Sequence, residues 1–497
     1  MSASAFPHLT NDNHNIALMD GDNRYSYAQV NQRIERFATG LLAGKTDLNE
    51  TRIAFFMPAS VDYVTAMHGV WRAGGIAVPL NVACAVAELE HYLSCASVTC
   101  LIANAPYQTP SLRALCQTLD IELLSSQDVM AQQAGPLPEI DISRRAMMLF
   151  TSGTTNKPKG VVSTHQTIYA QITTLVKAWQ WSDKDITPLF LPMHHVHGII
   201  NILSCGLWAG ATVDLYAKFD IPKITAQVAA GRYNVFMAVP TIYVKLIQYF
   251  DSLTDPSPPH SQVAQICAGF NAMRLNISGS AACPVKLFNQ WQDLTGQVLL
   301  ERYGMTEIGM GMSNPYHGER RAGHVGQPLP GVEAALFGED DGLITADNTP
   351  GEIRIKGDNV FLEYWNNPKA TIESFKQGWF CTGDVAVIEQ GYYRIMGRAS
   401  IDIIKSGGYK LSALEIEGTL LTHDGIAEVA VLGVEDETWG EAVMAYIALK
   451  PAVSLEYNDL KAWCDGKMSS YKIPKAIKIV AALPRNAMGK VTKSALK

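Results

Sequence analysis

The feature that most constrains this chain is an alternation near its start: short apolar runs at residues 53–56, 77–78 and 100–102 are separated by segments with helical spacing. Runs this short read as buried strands, and strands that alternate with helices predict a largely parallel sheet flanked by helices. Just before them, Ser26-Tyr-Ala-Gln29 has capping-box spacing and leads into Val30, Ile34, Phe37, Ala38 and Leu41 at helical intervals. With 497 residues the chain exceeds one ordinary core, so at least two domains are expected.

The texture changes after Arg398. A glycine-containing turn, Ser406-Gly-Gly-Tyr409, precedes a second capping-box spacing, Ser412-Ala-Leu-Glu415. A helix from Leu414, strands near residues 427–434 and 443–449 and a helix around 460–467 would make a small α+β unit. The chain is therefore divided into residues 1–397 and 398–497. The most loop-like segments are residues 252–260, rich in Pro and Ser, and the acidic turn at 338–342.

Composition narrows the function classes. Apolar residues make up 47% and charged residues 18%, a globular balance. A formal net charge of −7 offers no overall attraction to nucleic acid or a membrane surface, so any anionic ligand must be held by local groups. The longest apolar stretch, residues 199–217, is interrupted by Asn201, Gly206, Gly210 and Asp214 and reads as a buried element rather than a membrane span. The first residues show neither a basic region nor an apolar run, which predicts no secretory leader. Nine cysteines lie scattered without CxxC spacing and read as reduced core thiols, so a reducing compartment, cytoplasmic or another, is expected.

The most specific segment is Leu149-Phe-Thr-Ser-Gly-Thr-Thr-Asn-Lys-Pro-Lys-Gly160. Backbone N–H groups of a Gly-containing turn, several hydroxyls and a lysine can cradle a polyphosphate, although a turn of this composition also serves as a plain solvated loop. It is not a Walker loop. Met193-His-His-Val-His-Gly198 places three histidines within four positions, enough to suggest a metal, but no Cys or carboxylate completes an obvious set.

The first of these segments resembles the phosphate loop of the adenylate-forming superfamily, which includes acyl-CoA synthetases, with Asn156 where the family usually has Gly. Further likenesses follow in the family's order: Tyr303-Gly-Met-Thr-Glu307, Trp379-Phe-Cys-Thr-Gly-Asp384, Gly397-Arg398 and Pro484-Arg-Asn-Ala-Met-Gly-Lys490. The resemblance implies an α/β fold, with a large N-terminal region of βαβ-type subdomains and a small mobile α+β C-terminal domain. It also implies an ATP- and Mg²⁺-dependent ligase that forms an acyl-adenylate from a small carboxylic acid and passes the acyl group to coenzyme A.

The same resemblance assigns residues. Thr151, Ser152, Gly153, Thr154, Thr155 and Lys159 would hold phosphates, with Ser280, Ala281, Glu301 and Gly304 also lining the nucleotide. Tyr303 would stack on adenine, Asp384 would accept both ribose hydroxyls and Arg398 would lie near the ribose at the domain junction. Thr306 and Glu307 would hold ATP and Mg²⁺, an ion content with one carboxylate plus phosphate oxygens and water. Lys490 would neutralise charge as the carboxylate attacks phosphorus. Gly407, Gly408, Tyr409 and Lys410 would border the channel for the CoA thiol.

His195 aligns with the residue that contacts the acid, and His194 stands where an aromatic is usual; a wall of the acid pocket is favoured over a metal site. Around the junction, Gly397-Arg-Ala-Ser-Ile-Asp402 is one residue longer than the commoner pattern, and Ser400 stands near the usual charged hinge position.

A narrower likeness, in Met273-Arg-Leu-Asn-Ile-Ser-Gly-Ser280, Glu301-Arg-Tyr-Gly-Met-Thr-Glu307 and the longer hinge, points to the malonyl-CoA synthetase branch. A dicarboxylic acid such as malonate or methylmalonate would then need a cation for its distal carboxylate. Lys245 and Arg274 are the two candidates, with Ser278, Gly279 and Met305 lining the acid.

Overall fold

The computed structural model describes residues 6–151, 158–253, 261–406, 409–436, 439–485 and 491–496. Among them five sheets form. The expected alternation produces a seven-stranded sheet whose centre is parallel: Arg145–Thr151, Ile76–Pro79, Arg52–Phe55, Cys100–Ile102 and Glu122–Leu124 run side by side. Its remaining strands, Lys159–Thr164 and Glu363–Tyr364, are antiparallel, because Lys159–Thr164 returns as a hairpin from Arg145–Thr151. Thr151 and Lys159 face each other where that hairpin opens. Residues 152–157, and with them Ser152, Gly153, Thr154 and Thr155 of the expected phosphate loop, lie outside the described residues.

A second sheet places Val235–Ala238, Leu275–Ser278 and Leu300–Met305 parallel, with Gly309–Ser313 folded back antiparallel. The ends of its middle strands present Ser278 and Tyr303 on neighbouring ladders. A third, antiparallel sheet carries Trp379–Glu389 and Tyr392–Arg398, which pair so that Asp384 faces Arg398. One large apolar core unites most of the region before residue 394.

The chain beyond Arg398 builds its own sheet from Ile403–Ser406, Tyr409–Ser412, Ile426–Asp436, Gly440–Leu449 and Ala476–Ile479. The apolar clusters under that sheet draw only on residues from Ile404 onward. At the junction, Val387, Met396 and Ile403 form a small cluster of their own.

Local signals came out unevenly. Ser26 and Gln29 make both bonds of the capping box at the start of Tyr27–Leu42. In the second box only half forms: Ser412 Oγ accepts from Glu415 N at 3.1 Å, while the Glu415 carboxylate pairs with Lys472. The Ser412 hydroxyl donates instead to the Met396 carbonyl, tying the small unit back to the preceding strand. A buried π-helix, His197–Ser204, overlaps the start of the long apolar stretch, a geometry often found at functional sites. No helix among the described residues is long and apolar enough to cross a membrane, and all nine cysteines are free.

The strand Leu275–Ser278 is fixed from behind by the helix Pro240–Ser252, whose buried Tyr243 hydroxyl donates to the Ile277 carbonyl at 2.8 Å. Tyr243→Phe leaves that carbonyl short of a donor, so urea denaturation should show a loss of about 1 kcal/mol with the fold retained.

Candidate active site

The best-defined group is a carboxylate between two donors. The turn Thr382-Gly-Asp384 is set by the Thr382 hydroxyl, which donates to Ile353 O at 2.7 Å and accepts from Asp384 N at 3.1 Å. Asp384 Oδ2 then accepts from the Tyr303 hydroxyl at 2.6 Å, and Oδ1 lies 3.0 Å from Arg398 Nε. Burial pushes the Asp384 carboxyl above its usual range, opposed chiefly by the Arg398 charge. Each carboxylate oxygen has a further lone pair, so the group can still accept from a ligand's hydroxyls.

Beside it, Glu307 is buried and its Oε1 accepts from Tyr364 OH at 2.8 Å. Lys159 Nζ sits 4.8 Å from the centre of the Tyr364 ring. Burial raises the Glu307 carboxyl, and the Arg398 and Lys159 charges only partly offset this; among the described residues no cation bonds to it directly. A hard cation brought in with phosphates would supply the missing charge, so this carboxylate fits Mg²⁺. Thr306 lies half-buried just after the strand Leu300–Met305, whose last residue, Met305, packs partly buried against the core. At Gly304 a side chain would collide with the Gly309 carbonyl, which explains the bare backbone there.

Of the expected acid-binding residues, Arg274 is already paired and Lys245 is exposed. Arg274 has its fork filled by Asp185, with Nε at 2.7 Å and Nη2 at 2.6 Å, while its Nη1 donates to Trp179 O at 2.8 Å. It serves as a brace between strands, with three of its five N–H donors engaged and its charge already paired with Asp185. Lys245 is exposed on the helix Pro240–Ser252, because the helix buries the face carrying Tyr243, Leu246 and Ile247 instead.

A buried cation without a carboxylate among the described residues is Arg302, 4% exposed. Its Nη2 donates to Ser280 Oγ at 3.2 Å, and the same hydroxyl lies 3.2 Å from His197 Nδ1. Arg302 Nε has no hydrogen-bond partner, and no carboxylate among the described residues pairs with the guanidinium. Burial alone lowers Arg302 to about 9. Gly279 lets the backbone pass directly over this group, since a Cβ there would stand 2.6 Å from Arg302 Cζ. Ser280 holds the turn with φ +67. Ser278 is buried, Ala281 exposed.

His197 is held neutral by burial and by the nearby Arg302 charge. The rings of His194 and His195 lie 4.2 Å apart, tilted by 50°, and burial holds His194 down to about 4. The sequence signal for Arg302 was available: a cation directly inside the apolar strand pattern Leu299-Leu300-Glu301-Arg302 has to be explained by a partner.

Glu301, next in the strand, turns the other way and its Oε1 accepts from Gly323 N at 2.8 Å, so the structure gives it a structural bond rather than a free face. Tyr409 stacks on Tyr471 at 4.5 Å and is exposed. Gly407, Gly408, Lys490 and the Lys410 side chain lie outside the described residues.

A fold with these three sheets, a separate small unit and a carboxylate, tyrosine and arginine at the junction defines a nucleotide-handling enzyme of two parts. Residues 8–365 match the family described as AMP-binding enzyme and residues 415–490 match its C-terminal domain, and the chain belongs to this family. It is similar to the mitochondrial malonate–CoA ligase ACSF3 of Bos taurus, 40% identical over 96% of this chain and 87% of the relative. Among solved structures it is similar to ATP-bound MatB from Rhodopseudomonas palustris, 31% identical with a TM-score of 0.90 over 100% of this chain and 98% of the other. The apo form of that protein, 32% identical over the same shares, gives 0.82.

Glu301 generates a pH prediction. Burial raises its carboxyl from 4.5 to about 8 in the folded chain. Between those values the unfolded chain releases the proton while the folded chain retains it, so folding loses on the order of 1.4 kcal/mol per pH unit crossed. Glu301→Gln keeps an acceptor for Gly323 N and removes the titration. Thermal melts should show the variant's stability relative to wild type rising from pH 5 to pH 8.

Proposed function

We propose that this chain is an ATP-dependent acid–CoA ligase whose acid is malonate or a small 2-substituted malonate. The observation that carries the choice of acid is the buried Arg302 guanidinium, which has an unpartnered Nε and no carboxylate of its own. A ligand's distal carboxylate would complete it, in the bidentate manner that suits a planar fork. The names of the relatives from Bos taurus and Rhodopseudomonas palustris support the class of enzyme.

In this reading the acid lies between Arg302 and the nucleotide, with Ser280, His197 and His195 along it. Asp384 and Arg398 hold the ribose, and Tyr303, fixed through its hydroxyl, presents its ring to the adenine. ATP supplies the activated phosphorus and Mg²⁺ at Glu307 offsets phosphate charge. Thr151, Lys159 and the loop residues between them hold the phosphates, and Lys490 steadies the carboxylate as it attacks. The small unit from residue 398 onward then turns to present the Gly407–Lys410 turn to the CoA thiol. Nine free thiols suit a reducing compartment, cytoplasmic or mitochondrial; the bovine relative's name places that protein in mitochondria.

The test is CoA thioester formation from malonate, methylmalonate, acetate and butyrate, followed by mass spectrometry. Leaving a buried charge unpaired costs roughly 2–5 kcal/mol, so malonate should lead acetate by tens to thousands-fold in kcat/KM. Arg302→Met should erase that lead while acetate turnover changes little; a lead that survives in the variant refutes the anchor. Separately, Glu307→Gln removes the charge that offsets Mg²⁺ dehydration, and titration of activity with Mg²⁺ should shift to higher concentration.

A further inference from the structure

The turn that carries Glu307 is held from outside by residues to which no role has yet been given. Leu300–Met305 and Gly309–Ser313 pair with Met305 opposite Gly309, which leaves Thr306-Glu307-Ile308 as a three-residue loop. Ile308 N donates to Met305 O at 3.1 Å, and Gly309 follows with φ +58, the left-handed position that such a loop requires. The carbonyls of Glu307 and Ile308 are both taken by one distant segment. Phe361 N donates to Glu307 O at 2.7 Å, and Asn359 Nδ2 donates to Ile308 O at 2.7 Å. The same segment supplies Tyr364, whose hydroxyl donates to the Glu307 carboxylate.

That segment is itself fixed on two sides. Leu362 N donates to Val162 O at 2.9 Å and Trp365 N to Gly160 O at 2.8 Å, so it runs along the strand Lys159–Thr164, which opens with Lys159. On the other side the Asn359 carbonyl accepts from Gln171 Nε2 at 2.9 Å, and Gln171 lies on the buried face of the helix His165–Ala178. Gln171 also packs against the turn: a Cβ at Gly309 would stand 2.4 Å from Gln171 Cδ. Helix, segment and turn therefore close on one another with no room for a side chain at residue 309.

The type of residue at 359 carries information. Asn359 is buried, and its Oδ1 has no hydrogen-bond partner among the described residues. An open buried acceptor costs stability, and packing alone would be served as well by leucine, which has nearly the same shape. What the amide adds is a fixed carbonyl directly after Glu307, while Phe361 N fixes the carbonyl of Glu307 itself.

We infer that Asn359, seated by Gln171, is a positioning residue that fixes the Glu307 carboxylate relative to Lys159, so that it stands ready for Mg²⁺ brought in with ATP. This rests on the reading of Glu307 as the group that meets Mg²⁺. Outer partners of this kind change metal affinity or activity by about 10–100-fold when they are lost.

Asn359→Leu and Gln171→Met keep the side-chain shapes and remove the two donors. Pyrophosphate exchange is followed against Mg²⁺ concentration, with the acid that the wild type turns over fastest. Asn359→Leu should raise the Mg²⁺ needed for half the maximal rate about tenfold or more, and Gln171→Met should shift it in the same direction. Both shifts should vanish in a Glu307→Gln background, where the positioned carboxylate is gone. Shifts of the same size in that background, or a slower enzyme with an unaltered Mg²⁺ dependence, overturn the inference. Should Asn359→Leu fail to fold, Gln171→Met decides by the same criteria. Hydrogen exchange at the Phe361 amide, measured without ATP, Mg²⁺ or acid, should quicken in Gln171→Met, and unchanged protection there also overturns the inference. Glu307→Gln alone separates the two readings. An unaltered Mg²⁺ dependence in that variant refutes the Mg²⁺ reading of Glu307 and the inference with it, whereas an altered one there and none in Asn359→Leu or Gln171→Met refutes the positioning alone.

Discussion

The Asp384 carboxylate is the group on which the rest of the site depends. It collects one hydrogen bond from Tyr303 on the parallel sheet and an ion pair from Arg398 at the last position before the linker. Its own backbone belongs to the antiparallel sheet, on the strand paired with the one that carries Arg398. One side chain thereby ties that sheet to the parallel one. The cost of burying that charge is visible in the upward push on its carboxyl, and Arg398 is the first of the terms that oppose it.

Around this group the charges are arranged as incomplete pairs. Glu307 is buried with a tyrosine hydroxyl but no bonded cation among the described residues, and Arg302 is buried with a serine hydroxyl but no carboxylate. Burial moves the two in opposite directions, Glu307 up and Arg302 down, as it must when each charge lacks its complement. By contrast Arg274, Arg144 and Arg354 are buried or half-buried and have their carboxylates. The difference between completed and open pairs separates framework from site more sharply than burial does, because an open pair destabilises the empty protein and is relieved only by a ligand.

That distinction also explains what could be read from the chain alone. The parallel strands and the first capping box depend on local periodicity, and each corresponds to an element found. The second capping box half failed because Ser412 and Glu415 found partners far away, Met396 and Lys472, which no local spacing encodes. Lys245 and Arg274 were plausible anchors by neighbourhood, yet a helix rotates one outward and Asp185, nearly ninety residues away in sequence, claims the other. Arg302 stands inside the Glu301–Glu307 motif, yet sequence shows residue type but not whether a partner waits in the fold. The phosphate loop, the Gly407–Gly408 turn and Lys490 lie outside the described residues, so their roles still rest on resemblance and proposal.

The same geometry bears on why the acid should be small. Arg302 cannot retreat toward the backbone, because Gly279 already leaves its guanidinium against the strand end with no space for even a methyl group. Nor can it swing freely, since Ser280 holds one of its nitrogens and His197 faces that serine from the buried π-helix. A fixed cation at one end and a nucleotide site fixed by Asp384 at the other define a span, and both ends are set by the strand Leu300–Met305, which carries Arg302 and Tyr303 as consecutive residues pointing to opposite faces. If the acid is seated as proposed, discrimination comes from length as well as charge: an acid without a distal carboxylate leaves Arg302 open, and one whose carboxylates are too far apart presses on a group held by Gly279 and Ser280.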